Sequence, residues 1–207
     1  LPDSEQTPSP GRRPIELLLD AWDLFRTNRP FRRIACVAIL FISIQLAFPH
    51  FQTLGRSTLT DEQQSVAGKA LQDTLVDLID LSLIAKQAHW NVVGRQFRSV
   101  HLELDELVSV AREFTDAAAE RATAIGVSPD GRAETVAKTA NTKGFGEGWT
   151  QDSDVVTAVI DNLQSVIGGL RERVQATESA DPVTQDLLIE IVSKLEQLHW
   201  MWQAQSV

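Results

Sequence analysis

From about residue 60 onward the apolar positions recur at intervals of three and four, the spacing of a helix that buries one face. The pattern predicts four long helices, over about residues 62–90, 97–125, 152–177 and 182–204. Gly94 and Gly126 stand just past the first two, where a helix end favours glycine. Asp181-Pro182 opens the fourth, with a capping residue followed by proline at the first helical position. A shorter helix fits near residues 132–140, inside a long connection between the second and third helices. No run alternates as a strand does. The expectation is an all-α four-helix bundle over residues 58–207, with a short extra helix in its middle connection.

Residues 1–57 follow a different pattern and read as an N-terminal extension. Residues 1–13 are rich in Pro and Ser, a composition too poor in apolar side chains to build a core. Residues 15–26 have the pattern of a short amphipathic helix around Trp22 and Phe25. Arg29-Pro-Phe-Arg-Arg33 then precedes an apolar run from Ile34 to Pro49. That run is about 16 residues, below the roughly 20 that cross a bilayer, and no small-x-small cleavage pattern follows it. Three readings stay open: a helix that packs on the bundle or on a neighbouring subunit, upstream sequence outside a native start near residue 60, or a membrane anchor. A membrane location is disfavoured, because the positive-inside rule would keep Arg29–Arg33 in the cytoplasm and put the bundle outside. Cys36, the only cysteine, offers no internal disulfide and fits a reducing cytoplasm.

Charge narrows the partners. The chain has 207 residues and a net charge of −9, unevenly divided. Residues 61–207 carry 12 Lys and Arg against 23 Asp and Glu, a net −11, and the first 60 residues carry 7 against 5, a net +2. An acidic bundle repels DNA phosphate and attracts cations. The C-terminus ends in Gln-Ala-Gln-Ser-Val207, without a basic tail. The N-terminal Arg12, Arg13, Arg26, Arg29, Arg32 and Arg33 sit among acids and beside the apolar run. Little DNA binding is expected at physiological salt.

The chemistry is concentrated in a stretch of 32 residues that holds His89, His101, Asp105, Asp116 and Glu120. Four of these fall on the second helix, paired at i,i+4. With about 100° per residue and His101 at zero, Asp105 lies near ~40°, Asp116 near ~60° and Glu120 near ~100°. Val100, Leu104, Leu107, Ala111, Phe114 and Ala118 fall at roughly −60° to −140° by the same arithmetic. The potential ligands therefore turn away from the apolar stripe. His101 and Asp116 are roughly 22 Å apart along the axis, whereas metal–ligand bonds are about 2.0–2.2 Å. A second, antiparallel copy of the helix removes the difficulty. Under two-fold symmetry, Asp116 and Glu120 of one subunit meet His101 and Asp105 of the other, giving two identical sites per dimer.

The run Lys86-Gln-Ala-His-Trp-Asn-Val-Val-Gly94, followed by Phe97, His101, Asp105, Asp116, Ala-Glu120-Arg121 and Gly126-Val-Ser-Pro-Asp-Gly131, resembles the Dps family of mini-ferritins. The resemblance covers roughly residues 60–207. It implies a ferritin-like bundle and a ferroxidase that oxidises Fe(II), preferably with hydrogen peroxide, at two-fold interfaces. It also implies storage of the ferric product in a shell of twelve subunits. His89, His101 and Asp105 would come from one subunit, and Asp116 and Glu120 from its partner, with Glu120 the carboxylate suited to bridge two irons. Imidazole and carboxylate ligands with open positions suit redox-active iron. The shared site makes the homo-oligomer, a dodecamer on this resemblance, part of the chemistry.

Further residues stand at the edge of this reading. The chain has no Tyr, so Trp90 beside His89 is the candidate to quench a radical formed at the site; its plainer reading is a buried core aromatic. Lys86, one turn before His89, could pair with a site carboxylate or simply be solvated. Glu196-Gln-Leu-His199 has the spacing of a di-iron bundle motif but no second copy, so both are read as structural or surface residues. The resemblance also implies acidic entry pores near the start of the last helix, for which Asp181 and Asp186 are candidates; capping and dipole compensation explain them as well. The alternative function is a nucleoid-associated shell protein in which the metal site is secondary.

Overall fold

The structure, a computed structural model, describes Thr27 and residues 57–206. The amphipathic helix expected at residues 15–26, the arginine cluster, Cys36 and the apolar run lie outside the described residues. The chain divides between Leu54 and Gly55, and the helical bundle belongs to the second unit. It contains α1 (Asp61–Asn91), β1 (Val92–Val93), α2 (Phe97–Ala124), α3 (Ala133–Thr139), β2 (Thr150–Gln151), α4 (Asp152–Thr177) and α5 (Pro182–Gln203). Four long helices with a short one in the middle connection match the expected ferritin-like architecture. Among the described residues no helix is long and apolar enough to cross a membrane.

The start of α1 is set locally. Thr60 accepts a hydrogen bond from the Gln63 backbone N–H, and the Gln63 side chain accepts one from the Thr60 N–H. Two of the N–H groups that a helix start leaves unpaired are thereby satisfied. The apolar faces of the four long helices meet in one core, with Leu78, Leu81 and Ala85 from α1, and Val100, Leu104, Leu107 and Ala111 from α2. Val159, Leu163 and Leu170 come from α4, and Leu188, Ile191, Leu195 and Trp202 from α5. A smaller cluster joins Ala67 and Leu71 of α1 to Ala118, Ala122 and Ile125. It brings the N-terminal end of α1 beside the C-terminal end of α2, so the two helices run antiparallel. The stripe predicted on α2 is the buried one, except that Phe114 is only partly covered.

Two devices tie the loops to this frame. At one end of the bundle, β1 and β2 pair in parallel, Val92 with Thr150 and Val93 with Gln151, a contact too short to show as strand alternation. Gly94, with φ of 133°, follows directly; a Cβ there would lie 2.4 Å from the Asp152 carboxylate. Asp152 uses that closeness to accept from the backbone N–H of Gln96 at 2.6 Å and of Ser153 at 2.9 Å, pinning the α1–α2 turn to the start of α4. The middle connection is held by buried and half-buried polar side chains. Gln72 bonds both the N–H and the carbonyl of Asp130, and Asn162 accepts from the Lys143 N–H and donates to the Gly144 carbonyl. Asp77, 1% exposed, accepts from the Asn141 N–H at 2.7 Å and from Arg173 at 2.6 Å.

The start of α5 corrects one sequence expectation. Asp181 is the N-cap residue and Pro182 follows it, but the Asp181 side chain makes no capping bond to the helix backbone. It turns instead to Arg121 of α2, at 2.5 Å, and to the Thr184 hydroxyl. The charged guanidinium offers a stronger partner than a backbone N–H does. Asp181 is 3% exposed, so its carboxylate is committed inside the chain, whereas Asp186 is exposed. Burial pulls the Asp181 carboxyl upward, but the bonds from Thr184 and Arg121 outweigh it and leave it below the usual carboxylate value.

Two predictions follow from these pairs. Arg173→Met leaves Asp77 buried with only the Asn141 N–H, and is expected to lower unfolding free energy by about 3 kcal/mol or more. The double variant Asp77→Leu with Arg173→Met should recover part of that loss, because no unpaired charge remains. Urea denaturation at fixed protein concentration measures both; a loss below about 1 kcal/mol in the single variant would show the pair to be dispensable. For Asp181 the folded carboxyl lies below its unfolded value of about 3.9, so its stabilisation is complete above that pH and is lost as pH falls through the folded value. Asp181→Asn should therefore destabilise the bundle at neutral pH, and the gap to wild type should close in acid.

Candidate metal centre

The α1–α2 turn brings two imidazoles together. His89, in the last turn of α1, and His101, in the second turn of α2, stack with ring centroids 3.6 Å apart and an interplanar angle of 22°. Each is bonded to the other's backbone. His89 Nδ1 lies 2.9 Å from the His101 carbonyl oxygen, and His101 Nδ1 lies 3.0 Å from the His89 carbonyl oxygen. A carbonyl can only accept, so each Nδ1 carries a proton, and in the neutral ring the lone pair is left on Nε2. This is the tautomer of an imidazole that binds a metal through Nε2, with the second nitrogen held by a backbone oxygen. Phe97, one helical turn before His101, packs against that ring at 5.0 Å. Its i,i+4 spacing from His101 was visible in the sequence; the exchange of backbone bonds left no sequence signal.

Asp105 lies one turn beyond His101. Its Oδ1 is 2.5 Å from Lys86 Nζ and 3.3 Å from His89 Nδ1. The bond from Lys86 is the main reason the Asp105 carboxyl sits below the usual carboxylate value; burial opposes it, and the nearness of His89, Lys86 and His101 adds to it. Asp105 is therefore ionised at neutral pH. Lys86 is not the solvated lysine of the plainer reading, since its side chain is only 24% exposed. Trp90 is not a core aromatic either: it is 63% exposed, next to the nearly buried His89.

Asp116 and Glu120 do not join this group. They are exposed and lie on α2 roughly 16–28 Å along the axis from the His101/Asp105 pair. Neither makes a side-chain hydrogen bond or ion pair among the described residues. Among the described residues no three His, Cys, Asp or Glu side chains converge on a point that would hold an ion. One chain thus carries two separated groups on the exposed side of α2, each with too few ligands for a closed coordination shell. Glu196 and His199 form no alternative centre: Glu196 pairs with Arg171, and His199 Nε2 is buried without a partner.

Comparison with known proteins agrees with this fold. The family model for the ferritin-like domain matches residues 68–206. DNA protection during starvation protein 2 of Deinococcus radiodurans is 33% identical over 159 residues, covering 77% of this chain and 65% of that protein's length. The DNA protection during starvation protein of Mycolicibacterium smegmatis is 33% identical over 150 residues, covering 70% of this chain and 80% of the relative. Among solved structures, Dps from Microbacterium arborescens in its high iron form superposes with a TM-score of 0.69 at 30% identity, over 72% of this chain and 97% of that one. With its fold, its motif spacing and these likenesses in agreement, the chain belongs to the ferritin-like domain family and, within it, to the Dps mini-ferritins.

Proposed function

We propose that this protein is a ferroxidase that takes up Fe(II), oxidises it at sites shared between subunits, and retains the ferric product inside a homo-oligomeric shell. The observation that carries this reading is the stacked His89–His101 pair, with both Nδ1 atoms tied to backbone carbonyls and both Nε2 atoms left for a metal, beside an ionised Asp105. Nitrogen and carboxylate donors of this kind suit first-row transition ions, and iron is the one for which the family's fold supplies a reaction. Asp116 and Glu120 from a two-fold-related subunit complete the site, and Glu120 is the carboxylate suited to bridge two ions. A dodecamer is the assembly proposed, and the cytoplasm the location.

Hydrogen peroxide is the proposed oxidant. Two Fe(II) ions give one electron each to one peroxide, and with two protons the peroxide leaves as two waters. A one-electron split, which would release hydroxyl radical, is thereby avoided. When only one Fe(II) is at hand, Trp90 is the group placed to give the second electron, being exposed, next to His89 and in a chain without Tyr. Protection of DNA on this reading comes from removal of iron and peroxide. The net −11 of residues 61–207 does not favour contact with phosphate.

Stopped-flow absorbance of Fe(II) oxidation with peroxide tests the site. His101→Ala combined with Asp105→Ala is expected to lower the rate at least about tenfold, equivalent to roughly 1.4 kcal/mol in barrier; an unchanged rate would remove the assignment. The shared site is tested by mixing. The variants His101→Ala and Glu120→Ala should each be slow alone. Reassembled together in equal amounts, half the dimers are mixed and each mixed dimer regains one intact site, so activity should return to about a quarter of wild type. No recovery on mixing would mean that each chain builds its site alone. Native mass measurement gives the subunit number in the same preparations, and a monomer would contradict the mechanism.

A further inference from the structure

The shortest polar contact at the half-site is made by a residue that cannot itself bind a metal while it keeps its charge. Lys86 Nζ lies 2.5 Å from Asp105 Oδ1, the same oxygen that stands 3.3 Å from His89 Nδ1. The pair bridges α1 and α2, and its two side chains are 24% and 47% exposed, so water screens it only in part. An ammonium and a metal ion compete for one carboxylate oxygen. Lys86 holds Oδ1 alone, so an ion that takes Oδ1 must displace the ammonium and one that takes Oδ2 must sit beside its charge, and either cost is much the same for any divalent ion.

The return differs between ions. Mg2+ and Ca2+ prefer oxygen ligands, and Mg2+ gives up its water reluctantly, so neither gains much from an imidazole. Fe(II) and its first-row neighbours gain bonds to imidazole nitrogen. We infer that Lys86 is a specificity-determining residue: seated on Asp105, it screens the half-site against Mg2+ and Ca2+, while an ion that also binds the Nε2 atoms of His89 and His101 displaces it. A fixed cost set against an ion-dependent gain is a filter, and it acts where abundant Mg2+ would otherwise occupy an exposed carboxylate. The displaced ammonium has somewhere to go, since Trp90 lies one turn along the same helix and presents an exposed ring. The inference rests on the metal-centre reading above.

The test uses the assembled full-length protein and Co(II), whose visible absorbance reports binding without oxidation. Wild type, Lys86→Met and Lys86→Gln are titrated with Co(II), with and without millimolar Mg2+. Wild type should bind Co(II) with a midpoint that Mg2+ leaves unchanged. Without Mg2+, both variants should bind Co(II) about three- to tenfold more tightly, the range expected for losing one charge-assisted contact at a partly exposed site. Millimolar Mg2+ should then weaken Co(II) binding in the variants but not in wild type. Lys86→Arg, which keeps the charge, should restore indifference to Mg2+. Equal indifference in all four proteins would overturn the filter, as would variants that bind Co(II) no more tightly than wild type. Failure of wild type to bind Co(II) at all would overturn the metal-centre reading, and the filter with it.

Discussion

The reciprocal bonds between His89 and His101 are the constraint on which the rest of the site depends. Each imidazole donates from Nδ1 to the other residue's backbone carbonyl, one near the end of α1 and the other near the start of α2. The carbonyl of His101 would be engaged within α2 in any case, and the His89 carbonyl lies where a helix runs out of donors of its own. The exchange therefore does three things together. It closes the turn between the helices, fixes the tautomer of both rings and leaves both Nε2 lone pairs for a ligand outside the exchange. A side chain that only filled space could do the first. The other two need a residue with one donor and one acceptor on a rigid ring, and histidine is the side chain that has them.

Around this centre the charged groups divide into two populations. Asp77 and Asp181 are buried and each has an arginine of its own, Arg173 and Arg121. These pairs cross between helices, and a buried carboxylate without such a partner would be costly. Asp116 and Glu120 have no such arginine and are exposed, so within one chain their charge is met by water. Asp105 lies between the two cases: it has a cation, Lys86, but remains 47% exposed. Arg173 and Arg121 thus go to carboxylates that hold helices together, while Asp116 and Glu120 have no ion pair among the described residues.

Much of this was legible in the sequence. The three-and-four spacing gave the four long helices, and helical angles separated the stripe of Val100, Leu104, Leu107 and Ala111 from the face with His101 and Asp105. Both follow from one local geometry, which a sequence carries directly. For Trp90 and Lys86 the sequence left two readings open, and for Asp181 it favoured a cap, for a common reason. Each depends on what a second helix presents at one point in space. Asp181 has the chemistry of an N-cap, and only the approach of Arg121, 60 residues away in the chain, draws it off. Trp90 has the composition of a core residue, but the turn into β1 leaves its ring outside. The 19-residue separation of Lys86 from Asp105 gives no periodic signal, because a turn lies between them.

The separation of the two groups on α2 has a consequence for stability as well as for chemistry. A carboxylate pair on an exposed helix face gains little in a lone chain, and two like charges one turn apart repel modestly. Asp116 and Glu120 form such a pair; Arg112, one turn before Asp116 on the same face, offsets it only in part, and no lysine or arginine stands one turn from Glu120. In the two-fold dimer proposed above the same pair would face the imidazoles of the partner, and a cation bound between them would relieve the repulsion in both copies at once. Metal binding and subunit association then favour each other, since each supplies what the other lacks, and by linkage the dependence is mutual. On the proposed division of the site, a free chain has an unfinished centre with little to gain from holding an iron ion, and oxidation would be confined to the assembly that can keep its product.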